Sequence, residues 1–194
     1  MNIECKELAG QRVTLMPMQP DHAEQLFQAG TDARIWAYMS MKIETIDDAK
    51  RLVGHALSAR DQGLEFPYVV LDRETDRIVG STRFLDISKP NRSLEIGWTW
   101  YNPAVWRTRI NTECKYLLLQ YCFEAMSAIR VQLKTDARNT RSMHAIERLG
   151  AVKEGTLRNH RILSDGYIRD SVYYSIISQE WPAVKTKLLD YLKV

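Results

Sequence analysis

Apolar positions along the 194-residue chain fall into two registers. Alternation, or short runs rich in β-branched and aromatic residues, predicts strands at residues 12–18, 66–71, 78–87, 94–101, 129–135, 156–163 and 167–177. Spacings of three and four predict helices. The first opens at Pro20 and Asp21 and buries Ala23, Leu26, Phe27 and Ala29; the second, capped by Thr45, buries Ala49, Leu52, Val53, Ala56 and Leu57. A third runs from Ile110 through Cys114, Leu117, Leu118, Tyr121, Cys122 and Ala125. A fourth spans residues 140–149 between Asn139 and Gly150, and a fifth starts at Trp181 and Pro182 and carries Val184, Leu188, Leu189 and Leu192. The polar link 72–77 and the pair Asp165 and Gly166 are of hairpin type. The succession of strand 94–101, helix and strand 129–135 instead predicts parallel neighbours joined by a right-handed crossover. Together the elements predict a single α/β domain over residues 1–194.

The stretch 94–123 organises the rest. Pro103 closes a strand, and the basic loop Trp106, Arg107, Thr108, Arg109 leads into Ile110, Asn111 and Thr112 at a helix start. The first N–H groups of a helix lack internal partners and face the positive end of its dipole, so this loop suits a phosphate or pyrophosphate. A solvated basic turn capped by Asn111 or Thr112 accounts for the same residues.

Composition narrows the classes. A content of 45% hydrophobic and 26% charged residues suits one compact domain. Net charge +3 and a basic second half, including Arg138, Arg141 and Arg148, suit a polyanionic ligand. The charges do not interleave with aromatics as an RNA platform requires, so nucleic acid is not expected. Cys5, Cys114 and Cys122 are odd in number, with two on one apolar helix face, which excludes a disulfide framework. The charged start and the lack of a long apolar segment predict a soluble, cytoplasmic protein without a membrane or a metal.

The element order, the strand, loop and helix at 95–123, and the sequence Asn139, Thr140, Arg141, Ser142 followed by Leu149, Gly150 and Ala151 resemble the GCN5-related N-acetyltransferase (GNAT) superfamily. The closer resemblance is to ribosomal-protein N-terminal acetyltransferases of RimJ/RimL type. It rests on the ordered spacing of Glu95, Ile96, Gly97, Pro103, Trp106, Thr112, Glu113, Glu154, Gly155, Asp165, Gly166, Arg169, Asp170, Glu180 and Trp181. The resemblance implies a mixed, mostly antiparallel sheet with one parallel pair splayed at the cofactor site and helices on both faces. It also implies acetyl-coenzyme A, its pyrophosphate on the basic loop, and direct transfer of acetyl to a primary amine in a ternary complex. The family loop, Gln/Arg-x-x-Gly-x-Gly/Ala, corresponds to Trp106, Arg109 and Asn111, so both small residues are replaced. A left-handed backbone at Arg109 would cost about 1–2 kcal/mol, and a reshaped loop is expected.

The implied coenzyme contacts are Trp98, Trp100, Trp106, Arg107, Thr108, Arg109, Ile110, Asn111, Thr112, Asn139, Ser142 and Arg148. Asn139 matches a pantetheine contact and also reads as a helix cap. Ser142 matches the residue that protonates the departing thiolate in the RimL-type pattern; other members use a Tyr where this chain has Ile146. Glu95 is the candidate base, acting through water, or else the partner of an arginine. Trp36, Tyr38, Asp86 and Asp170 are candidate acceptor contacts; packing accounts for each aromatic taken singly, and together with Met39 the two also suit the wall of a cleft. An α-amine with pKa about 7.7–8.0 needs a weaker base than a lysine at about 10.4, and no dedicated histidine base is evident. A protein or peptide N-terminus is therefore the expected acceptor, with a small amine as the alternative. A non-catalytic acyl-coenzyme A module is the competing class, supported by the altered loop. Exposed aromatics and the amphipathic last helix suggest a homodimer or larger assembly.

Overall fold

The computed structural model describes residues 1, 3–163 and 165–193. Strands β1 (Leu8–Ala9), β2 (Val13–Pro17), β3 (Phe66–Asp72), β4 (Arg77–Ser88), β5 (Ser93–Tyr101), β6 (Arg130–Asp136), β7 (Val152–Ile162) and β8 (Ile168–Ile177) form one sheet in the order β1-β2-β3-β4-β5-β6-β8-β7. Helices α1 (Ala23–Ala29), α2 (Ile46–Asp61), α3 (Ile110–Gln120), α4 (Thr140–Leu149) and α5 (Trp181–Leu192) complete it. The meander β3-β4-β5 is antiparallel, and β5 and β6 are the parallel pair, as their connections predict. Several expectations differ: the short β1 was not expected, and β7 starts at Val152, ahead of the expected 156–163. A short 3-10 turn, Pro20–His22, precedes α1 because the proline at its start favours the tighter turn. A π turn, Tyr121–Ala125, follows α3 and ends it before Ala125.

Two apolar cores sit on opposite faces of the sheet. On one face α3, α4 and α5 cover Leu15, Phe84, Leu94, Ile96, Val131, Leu133, Val172 and Tyr174. On the other, α1 and α2 cover Val69, Ile78 and Trp100. That second core ends at β5: no residue of β6, β7 or β8 belongs to it. The uncovered face of β6 and β8 is polar, with Gln132, Lys134 and Asp136 beside Ser175, Tyr173 and Ser171 in register.

The pairing of β5 with β6 is short. Ser93, Leu94 and Glu95 face Arg130, Val131 and Gln132, and beyond them the strands diverge. A bulge on β5 between Gly97 and Trp100 puts Trp98 at φ 50°, and one on β4 puts Asp86 at φ 49°. Each extra residue sharpens the local twist and bends its strand. Among the described residues no helix is long and apolar enough to cross a membrane.

Gly80 lies where β4 meets the far side of the bulge, and a Cβ there would collide with the backbone carbonyl of Trp100. Backbone cannot swing aside as a side chain can. Gly80→Ala is therefore expected to lower stability by about 1–3 kcal/mol, read as a lower urea midpoint with an unchanged slope.

Candidate functional site

The gap between β5 and β6 has a carboxylate at its closed end. Glu95, the last paired residue of β5, points to the polar face, since its neighbours Leu94 and Ile96 point into the α3 core. It is 2% exposed. Its Oε2 accepts from Gln132 Nε2 at 2.8 Å and pairs with Lys134 Nζ at 2.9 Å. Lys134 also reaches Asp86 Oδ2 at 3.3 Å. Burial raises the Glu95 carboxyl above its ordinary value, outweighing the attraction of Lys134 and the hydrogen bonds. The partner of Glu95 is thus a lysine, where the sequence suggested an arginine. Gly97 makes room for this arrangement, because a Cβ there would lie 2.8 Å from Glu95 Oε1.

The basic loop is built differently from the expectation. Arg109 is right-handed helical, with φ −72° and ψ −8°, and the left-handed residue is Arg107 at φ 64°. The missing glycine at 109 therefore strains nothing; about 1–2 kcal/mol of strain falls on Arg107 instead. Thr108 Oγ1 donates to Val105 O at 2.7 Å and accepts from the Ile110 amide at 3.3 Å. The amides of Asn111 and Thr112 have no partner among the described residues. Trp106 ties the loop to β5 by donating Nε1–H to Tyr101 O at 2.9 Å.

A guanidinium cluster surrounds Trp106. Arg141, on the first turn of α4, lies over its ring at 3.7 Å, and Arg34 lies over it at 5.6 Å. Burial, with the like charges of Arg34 and Arg107, pushes Arg141 below its ordinary value. Neither Arg107 nor Arg141 has a carboxylate partner among the described residues. Such a cluster is poised for an anion. Arg34 and Arg141 were missed in the sequence because nothing local links them to Trp106. Arg109 lines a separate groove with Gly10, Glu113 and Tyr116.

Several expected site residues pack elsewhere. Trp36 and Trp100 are buried against each other, ring centroids 5.0 Å apart, and Trp36 Nε1–H donates to Gly30 O at 2.8 Å. Both side chains belong to the α1–α2 core. Ile110 is fully buried under the sheet. Thr112 is 2% exposed and accepts from Arg148 Nη2 at 2.8 Å, so both residues tie α3 to α4. Asp170 accepts from the Asn159 amide at 2.7 Å and holds the bulge of β7 between Leu157 and Arg161. Asn139 caps α4, its Oδ1 accepting from the Ser142 amide at 3.0 Å.

Others stay near the opening. Tyr38 is half-buried, with the Arg138 guanidinium 5.6 Å from its ring, and Trp98 carries that of Arg83 at 5.0 Å. Arg83 in turn pairs with Glu65 at 2.7 Å. Ser142 is half-buried in the first turn of α4, Ile146 is buried, and His144 is exposed. On the polar face, His160 meets Ser171 Oγ at 3.0 Å and Tyr173 Oη at 3.3 Å, a pairing that only strand register creates.

Residues 12–152 match the family model described as an acetyltransferase (GNAT) domain. The chain is 27% identical over 174 residues to the uncharacterized N-acetyltransferase p20 of Bacillus licheniformis, covering 88% of this chain and 96% of that one. It is 21% identical over 164 residues to a ribosomal-protein-serine acetyltransferase of Escherichia coli (strain K12), covering 82% and 90%. A GCN5-related N-acetyltransferase from Brucella melitensis superposes with TM-score 0.92 at 25% identity, over 98% of this chain and 86% of that one.

The Glu95–Lys134 pair makes a direct prediction. Lys134→Met leaves an uncompensated buried carboxylate and is expected to destabilise the protein by about 3–5 kcal/mol at neutral pH. Because the folded state holds the Glu95 proton more tightly than the unfolded state does, acid relieves this loss. Urea titrations should show the deficit shrinking as pH falls through the raised carboxyl pKa.

Proposed function

The chain belongs to the acetyltransferase (GNAT) family, and on that premise we propose that it moves acetyl from acetyl-coenzyme A to a primary amine, favouring the α-amine of a protein or peptide N-terminus. The observation that carries the proposal is the junction of two features at one gap: a cationic loop without carboxylate partners, and a desolvated carboxylate where β5 leaves β6. Arg107 and Arg141, with the free amides of Asn111 and Thr112, fit a pyrophosphate. The coenzyme would supply the activated acetyl group. Asn139 and Ser142, on the first turn of α4, are the proposed contacts for the pantetheine arm and the sulfur.

Acceptor chemistry follows from the polar face. Glu95 lies on the side that α1 and α2 leave open, so the amine is proposed to approach across Gln132 and Lys134. Glu95, ionised, takes the proton of the ammonium through water, and Trp98 and Tyr38 flank the approach. Amides of β5 beyond the bulge would meet the developing oxyanion, and positioning contributes much of the rate. An α-amine is partly neutral near pH 8 and asks little of a carboxylate base, whereas a lysine asks far more. The name of the Escherichia coli relative supports a protein acceptor. A homodimer is part of the reading, supported by exposed Leu157, Ile162 and Ile168 on the edge hairpin.

Calorimetry with acetyl-coenzyme A tests the donor site. The wild type is expected to bind it, and Arg107→Ala/Arg141→Ala to bind at least about tenfold more weakly, a loss of about 1.4 kcal/mol. Absence of binding to the wild type would remove the enzyme reading. On a panel of N-terminal peptides and small amines, turnover should rise with pH as Glu95 ionises. Glu95→Gln should keep coenzyme affinity, lose that limb and lose about 10²-fold or more in rate. Acetylation of small amines alone would replace the N-terminal acceptor.

A further inference from the structure

Lys115, on the second turn of α3, is 5% exposed. Its ammonium donates to Thr99 Oγ1 at 2.6 Å, and that hydroxyl lies 2.8 Å from Thr82 Oγ1. An ammonium has three N–H donors. Among the described residues Thr99 is the one hydrogen-bond partner, and no carboxylate comes within ion-pair distance. Buried lysines are ordinarily paired, because a desolvated charge without acceptors is costly. The neighbours of Lys115 on the following turns, Leu118, Leu119 and Cys122, are apolar core residues, so packing alone does not call for a cation here.

Its location is informative. Thr99 belongs to the part of β5 that has left β6, and it points to the α3 face, in step with Tyr101. Glu95 points to the other face. The gap is therefore flanked by a carboxylate on the open side and an ammonium on the helix side. Desolvation shifts both towards neutrality, Glu95 upward and Lys115 down to about 8. The other ionisable groups bearing on Lys115 are Cys114 on its own helix and Glu95 from β5; the Cys114 thiol and the Tyr101 phenol are held neutral by burial. A lysine near 8 is matched to a thiol, whose ordinary pKa is about 8.5.

We infer that Lys115 supplies the positive charge, and then the proton, to the coenzyme's sulfur as the thioester breaks, the inference resting on the acetyl-coenzyme A reading above. The carbon–sulfur bond breaks with its electron pair going to sulfur. A proton passes from Lys115 Nζ to that sulfur and leaves a neutral amine. Lys115 is recharged through solvent by the proton that the acceptor nitrogen releases. Ser142 offers a neutral hydroxyl and no charge, and Ile146 offers neither. Thr99 is the positioning residue that holds Nζ beside the gap.

The test uses free coenzyme A and reads the ultraviolet absorbance of its thiolate during a pH titration. Bound to the wild type, the thiol should titrate below its value in water, because the nearby ammonium favours the thiolate. Lys115→Met, nearly isosteric and uncharged, should raise the bound thiol by about one pH unit or more, a tenfold change in thiolate affinity. Its affinity for acetyl-coenzyme A should change less than about threefold. Thr99→Val should move the thiol in the same direction by less, and it decides the matter if Lys115→Met does not fold. Ser142→Ala should leave most of the shift in place. An unchanged thiol in folded, coenzyme-bound Lys115→Met, or a shift lost in Ser142→Ala instead, overturns the inference and leaves the enzyme reading standing. Failure of the wild type to bind either coenzyme form overturns both.

Discussion

Among the described residues, β5 and β6 pair over three residues only, from Ser93 with Arg130 to Glu95 with Gln132, and the Ile129 amide donates to Arg92 O at 2.8 Å just ahead of them. A buried strand cannot leave its neighbour without exposing amides and carbonyls that need partners. Here the bulge at Trp98 bends β5 towards β4, which keeps its antiparallel bonds, and opens a wedge on the β6 side. The crossover helix α3 then has to start at the wide end of that wedge, with its unfilled amides facing it. The cationic loop, the position of Glu95 and the reach of Lys115 all depend on this divergence.

Desolvation is the second organising term. It pushes Glu95 and Lys115 towards neutrality on opposite faces of β5, where both side chains are buried. Structural ion pairs elsewhere behave differently. Arg12 with Asp72 and Arg130 with Glu154 stabilise the charged forms of both partners. Groups pushed towards neutrality without a full complement of partners are the ones suited to exchanging protons.

Arginine at 109 is tolerated because the chain turns two residues earlier, where Arg107 adopts the left-handed conformation. Arg141, on α4, lies over the Trp106 ring of this loop and feels the like charges of Arg34 and Arg107. Trp106 makes this workable by offering its ring face to Arg34 and Arg141 while its N–H anchors the loop to Tyr101.

Apart from the two-residue β1, the elements, their order and the parallel pair were legible in the sequence because each depends on neighbours a few residues apart: the period of apolar positions, the caps at Thr45 and Asn139, the glycine after α4 with φ 102°. Glu95 and the basic loop stood out as candidates through their spacing from Pro103 and the helix start. What tertiary structure alone decided was which side chains share a space. The side chains of Trp36 and Trp100 pack on each other in the core, and those of Thr112 and Arg148 brace α3 against α4. Arg141 beside Trp106, Lys134 on Glu95 and Lys115 on Thr99 carried no local signal. Periodicity is a property of one segment, whereas a charge is shifted or paired by whatever the fold brings across the gap, and that is set by packing between segments far apart in the chain.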